Sequence, residues 1–279
     1  MIRVWIAAAL AALLAGGAAA DALDRARERG ALLFGHRLDA PPFSYRDAEG
    51  RPAGLAVRLC EIAAPLVAEA AGAPGLPVVW VPVTAATRFE ALERGEIDLL
   101  CGPTTQTLTR RERLDFSIPY FVEGAGAVFR RGGPQRLADF AGEPVGVLGG
   151  TTTEKLVRRL AESGALRAEP RSFASHPEGL AALDRGEIEA YLADQSILAY
   201  QLGLLRPAMP LILGAETHSR EPYALTMLRG ESRIRLAVDR ALSRLYESGA
   251  MIEVIRETLG RAPEGPEVQA IFDVVAIPE

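Results

Sequence analysis

The chain has 279 residues, 49% of them hydrophobic, 6% aromatic and 24% charged, enough for roughly two domains at ~150 residues each. That composition excludes a disordered, collagen-like or coiled-coil chain, and two cysteines exclude a disulfide-dense miniprotein. A net charge of −5 argues against nucleic acid as partner, because phosphate binding needs a basic footprint.

The N-terminus reads MIRVWIAAALAALLAGGAAA. Arg3 gives a positive start, residues 4–14 an apolar core, and Ala18-Ala19-Ala20 an A-x-A site, the order of a secretory signal cleaved after Ala20. The apolar core falls short of the ~20 residues that span a bilayer. Export permits a disulfide between Cys60 and Cys101; two buried free thiols are the other arrangement the sequence allows. His36, His176 and His218 are scattered, so no zinc-type spacing exists and no metal or cofactor is expected.

Strand-like and helix-like runs then alternate. Residues 31–35 form a short strand. Residues 54–72 have a helical pattern that Pro65 should kink or break. Residues 78–83 are a strand, 87–94 a helix and 97–100 a buried strand, followed by a loop over 102–113 and an extended segment at 126–130. The second half repeats the theme, with strand 144–148, helices 151–163 and 178–185, strand 188–193 and helix 195–203. Amphipathic helices near 233–248 and 251–259 close the chain. This alternation predicts an α/β architecture with mostly parallel sheets. Ala91-Leu-Glu-Arg-Gly-Glu-Ile-Asp98 returns as Ala182-Leu-Asp-Arg-Gly-Glu-Ile-Glu189. In both copies a helix ends at glycine before a strand resumes, as two lobes on one plan would require. A ligand site is expected between such lobes.

Serine-hydrolase, P-loop and zincin signatures are absent. What recurs is basic and hydroxyl residues just past strand ends, where α/β sheets bind ligands. His36 and Arg37 follow the first strand, Arg88 lies beyond 78–83, and Thr104, Thr105 and Arg110 follow 97–100. Thr151, Thr152 and Thr153 open a helix whose free N–H groups favour an anion, and Asp194 follows 188–193. Several cations and hydroxyls with one carboxylate suit a zwitterion carrying surplus negative charge. The net −5 would then average over a locally positive cleft. Lys155 is the only lysine, so arginine is the chain's default cation and most arginines must be solvated surface groups.

From about residue 31 to 259 the chain resembles the extracellular solute-binding proteins, family 3, which deliver polar amino acids to ABC importers. The resemblance rests on Arg113-Leu-Asp-Phe-Ser-Ile-Pro-Tyr120 preceded by Cys101-Gly-Pro-Thr-Thr. Gly35-His-Arg37, Pro42-Phe-Ser-Tyr45, Val83-Thr84 leading to Arg88, Gly150-Thr-Thr-Thr153, His176 and Asp194 bring it nearest the glutamate/aspartate branch. The resemblance implies a two-lobe α/β periplasmic binding fold of type II, with lobe one over 24–125 plus 227–279 and lobe two over 126–226. Two crossings, near 124–130 and 223–229, would form the hinge. It also implies a periplasmic, non-enzymatic monomer that hands its ligand to a membrane permease. Arg110, helped by Thr105, would grip the α-carboxylate and Asp194 the α-ammonium. Arg37, Arg88 and His176 would hold the side-chain carboxylate, with Thr152 adding a hydrogen bond. On its own residues, His176 before Pro177 reads equally as a loop or helix-cap histidine. Pro103 and Ala85 stand where the family carries serines, so a longer dicarboxylate or another polar amino acid stays open as ligand. A dehydratase of the same fold and a receptor-linked sensor are the rival readings.

Overall fold

The computed structural model describes residues 20–205, 207–208, 210–260 and 266–278; the expected signal lies, apart from Ala20, outside them. Helix α1 (Ala22–Arg29) is capped by Asp21, whose carboxylate accepts the Asp24 N–H. There follow β1 (Leu32–Arg37), β2 (Asp39–Ala40), β3 (Ser44–Arg46), β4 (Pro52–Ala53), α2 (Leu55–Ala70) and β5 (Val78–Val83). Next come α3 (Arg88–Glu93), β6 (Leu99–Cys101), α4 (Leu108–Arg111), β7 (Leu114–Phe116) and β8 (Phe121–Glu123). The middle of the chain gives β9 (Ala125–Arg130), β10 (Pro144–Leu148), α5 (Thr152–Glu162), β11 (Glu169–Phe173) and α6 (His176–Asp184). Then come β12 (Ala190–Asp194), α7 (Gln195–Leu204), β13 (Leu211–Leu213) and β14 (Glu221–Tyr223). The last elements are β15 (Thr226–Leu228), α8 (Ser232–Glu247), α9 (Ala250–Leu259) and α10 (Pro266–Val275).

Two five-stranded sheets result, ordered β5-β1-β6-β15-β7 and β11-β10-β12-β9-β13. Strands β5, β1 and β6 run parallel, as do β11, β10 and β12. The remaining strands add antiparallel pairings, so each sheet is mixed around a parallel trio. The repeated octapeptide forms the same corner twice: Gly95 and Gly186 are left-handed, at φ 67° and 75°. The N–H of Asp98 then bonds the Leu33 carbonyl at 2.7 Å and that of Glu189 the Pro144 carbonyl at 2.9 Å.

Pro65 does not break α2. The helix runs through it, with Leu59, Cys60, Ala63 and Val67 buried on its core face. Proline inside a helix costs ~3 kcal/mol, while each large buried aliphatic side chain contributes ~1.5–3 kcal/mol, so burial on both sides of Pro65 wins. Cys60 is bonded to Cys101, with Cα atoms 6.1 Å apart, pinning α2 to the end of β6. The chain passes between the sheets next to β8 and β14, which pair antiparallel. Residues 126–130 and 226–228, expected within the crossings, are strands of the two sheets: their apolar side chains are needed in the cores, where Ala127, Val128, Phe129 and Met227 are buried.

Candidate functional site

The ends of the parallel strands in the two sheets meet across a cleft. All seven expected residues, Arg37, Arg88, Thr105, Arg110, Thr152, His176 and Asp194, line one cavity there, with an empty volume of about 400 Å³ including its open mouth. Pro103 and Ile197 are also in its wall.

Strand order explains the convergence. Arg37 ends β1 and Asp194 ends β12. Arg88 opens α3 just past β5, and Thr105 lies four residues beyond β6. Thr152 opens α5, with Thr151 as its cap accepting the Glu154 N–H. His176 opens α6, capped by Ser175, so this histidine is both a helix-start residue and a cleft residue.

Arg88 is fully enclosed. Its Nη2 donates to the Gly150 carbonyl of the opposite lobe at 3.0 Å, while Nε and Nη1 are buried with no partner. Its guanidinium lies 4.2 Å from the Phe89 ring centre. Burial, then the charges of Arg37 and Arg110, pull its pKa well below the usual arginine range. Arg110 donates to the Thr105 carbonyl at 2.8 Å and also faces Phe89. Asp194 accepts the Tyr223 hydroxyl through Oδ2, and its Oδ1 is buried without a partner. Burial, then the neighbouring charge of Glu221, pushes its pKa up to about 7. The His176 Nδ1 contacts the Tyr191 hydroxyl at 3.1 Å. Burial and then the charge of Arg37 bring its pKa down to about 4, so at neutral pH it offers an uncharged imidazole.

Two carboxylates bonded to residues of the cleft wall escape the sequence reading. Glu221, 2% exposed, accepts the Thr105 hydroxyl at 2.5 Å and the Thr152 hydroxyl through one oxygen, and the Ser219 hydroxyl at 2.8 Å through the other. It therefore joins a hydroxyl from each lobe. Asp39 accepts Arg37 Nη2 at 2.6 Å and Nε at 3.2 Å on one oxygen, and the His176 N–H at 3.3 Å on the other. Asp39 and Glu221 thus set two carboxylates against the wall of a cleft lined by Arg37, Arg88 and Arg110, acids that the expectation of a locally positive cleft did not include. Neither extra acid announces itself locally. Asp39 sits in a turn-like stretch before two prolines, and Glu221 is 116 residues from Thr105. Among the described residues, no group of three or more His, Cys, Asp or Glu is placed to hold a metal ion.

A paired-sheet cleft walled by arginines, hydroxyls and Asp194, with Asp39 and Glu221 bonded to its wall residues, is the architecture of a solute receptor. Residues 32–260 match the bacterial extracellular solute-binding proteins, family 3, and the chain belongs to that family. Its relatives are solute-binding proteins and not enzymes. The glutamate/aspartate import solute-binding protein of Salmonella typhimurium is 27% identical over 233 residues, 83% of this chain and 77% of the relative. The glutamate/glutamine/aspartate/asparagine-binding protein of Rhodobacter capsulatus is 32% identical, covering 80% of this chain and 66% of its own. An ancestral arginine-binding protein solved with arginine superposes with a TM-score of 0.72 at 27% identity, covering 82% of this chain and 98% of that one.

Proposed function

We propose that this protein captures an acidic or polar amino acid, glutamate or aspartate foremost, in the interlobe cleft and delivers it to the permease of an ABC importer. The observation that carries this reading is the pair of unmet demands in one cavity: two buried Arg88 nitrogens lacking an acceptor, and a buried Asp194 oxygen lacking a donor. Buried polar groups without partners cost ~1–3 kcal/mol each, so a molecule with both an anion and a cation to offer is favoured there. In this assignment Arg110 and Thr105 take the α-carboxylate, Asp194 the α-ammonium, and Arg88, Arg37 and His176 the side-chain end. Thr152 contributes a further hydroxyl contact. A planar guanidinium matches a carboxylate fork. Four or five charge-assisted bonds at ~1.5–3 kcal/mol each reach the ~8 kcal/mol of a micromolar complex.

The lobes, residues 24–124 with 224–279 and residues 125–220, close on the ligand about the β8–β14 crossing. The protein works as a monomer in the periplasm. Cleavage of the signal after Ala20 keeps Asp21, the cap of α1, in the mature chain. A thermal-shift screen against the twenty amino acids, followed by calorimetry, tests the reading, since a ligand that binds only the folded state raises its melting point. Stabilisation by glutamate or aspartate is expected; no response to any amino acid overturns it.

A further inference from the structure

Arg37 and Arg88 line the same cavity but differ in what they can offer. Two nitrogens of Arg88 are buried and free. Two nitrogens of Arg37 are already committed to Asp39, at 2.6 and 3.2 Å. Asp39 is also held from across the cleft. Its second oxygen accepts the His176 N–H at 3.3 Å and its backbone carbonyl accepts Gln201 Nε2 at 3.3 Å, both from the opposite lobe. A carboxylate arriving at Arg37 therefore meets the carboxylate of Asp39 already bonded there, and like charges at such range repel. A terminal amide meets no such opposition, and its carbonyl oxygen can satisfy Arg88 as an acceptor.

We propose that Asp39 is a specificity-determining residue which, by neutralising Arg37, lets the side-chain end of the cleft accept a carboxamide as well as a carboxylate. It acts through Arg37, as a positioning residue, without touching the ligand. Glutamine and asparagine then join glutamate and aspartate as ligands. This inference rests on the amino-acid-binding reading above and deepens it.

The test is calorimetry with L-glutamate and L-glutamine on the wild-type protein and on Asp39→Asn, which keeps the shape and removes the charge. In the wild type the two dissociation constants are expected within tenfold of each other. In Asp39→Asn glutamate is expected to tighten about tenfold while glutamine moves less than threefold. A wild-type preference for glutamate above tenfold overturns the proposal without any variant. So does an Asp39→Asn protein whose glutamine-to-glutamate ratio stays unchanged, or one in which both affinities fall together, the mark of a merely structural bridge. If the wild type binds neither compound this proposal is overturned, and the thermal-shift screen over all twenty amino acids then decides whether the amino-acid reading fails with it.

Discussion

Replacing Asp194 with asparagine should change how stability depends on pH. Burial and the charge of Glu221 raise its pKa from an ordinary 3.8 to about 7 in the folded protein. Between those values the folded state keeps a proton that the unfolded chain has released, so stability is lost as pH rises from about 4 to about 7. At 1.36 kcal/mol for each pH unit the loss totals about 4 kcal/mol. His176 works in the opposite direction. Its pKa falls from 6.5 to about 4, so its contribution is present above about 6.5 and disappears as pH falls toward 4. The wild-type profile is therefore muted, and the difference between wild type and Asp194→Asn isolates the carboxylate. Urea unfolding at intervals from pH 4 to pH 8 should show the variant gaining about 4 kcal/mol on the wild type across the range. Lost hydrogen bonding to Tyr223 would shift the whole difference curve without tilting it. A curve flat to within about 1 kcal/mol would refute a buried, proton-holding Asp194.

Arg110→Ala should abolish amino-acid binding, whereas Arg88→Ala should retain a weakened complex with little preference for acidic or amide side chains over apolar ones; unchanged glutamate affinity in Arg110→Ala, measured by calorimetry, counts against the assignment. Glu221→Gln removes the charge that helps raise the Asp194 pKa, so the proton release accompanying glutamate binding should shift its midpoint below pH 7, readable by calorimetry in buffers of different ionisation enthalpy. Glu221→Ala removes the shared acceptor of the Thr105 and Thr152 hydroxyls, and small-angle scattering should find the ligand-free protein more open; an identical radius of gyration would dismiss the bridge. Replacing both Cys60 and Cys101 with alanine frees a loop with a sequence separation of 41. By loop entropy that costs about 4 kcal/mol, and an unmoved urea midpoint would show the bond to be dispensable.

Where local pattern and tertiary demand agree, the chain could be read directly. Strands at Val78–Val83 and Pro144–Leu148 fall where their β-branched residues put them, and the twin Gly95 and Gly186 corners follow from one repeated octapeptide. The cleft residues were legible because they follow strand ends, a positional rule that needs no contact information. The misses have physical causes. β11 has an exposed, polar sequence with no apolar run to mark it. Pro65 obeys its local rule only until the buried faces on both sides outweigh it. Asp39 and Glu221 acquire meaning from partners in other elements, and in their own neighbourhoods they look like surface acids. That is why the sequence showed the arginines of the cleft and not the two acids bonded beside them.

In each sheet the first three parallel strands in chain order deliver one cleft residue apiece. β1, β5 and β6 lead to Arg37, Arg88 and Thr105; β10, β11 and β12 lead to Thr152, His176 and Asp194. On the proposed reading, a bound amino acid is a removable cross-link between two half-sites, each too sparse to retain it alone. Capture then depends on the half-site met first, while dwell time depends on how often the β8–β14 crossing reopens. Substitutions in that crossing, remote from every ligand atom, should alter the release rate far more than the capture rate.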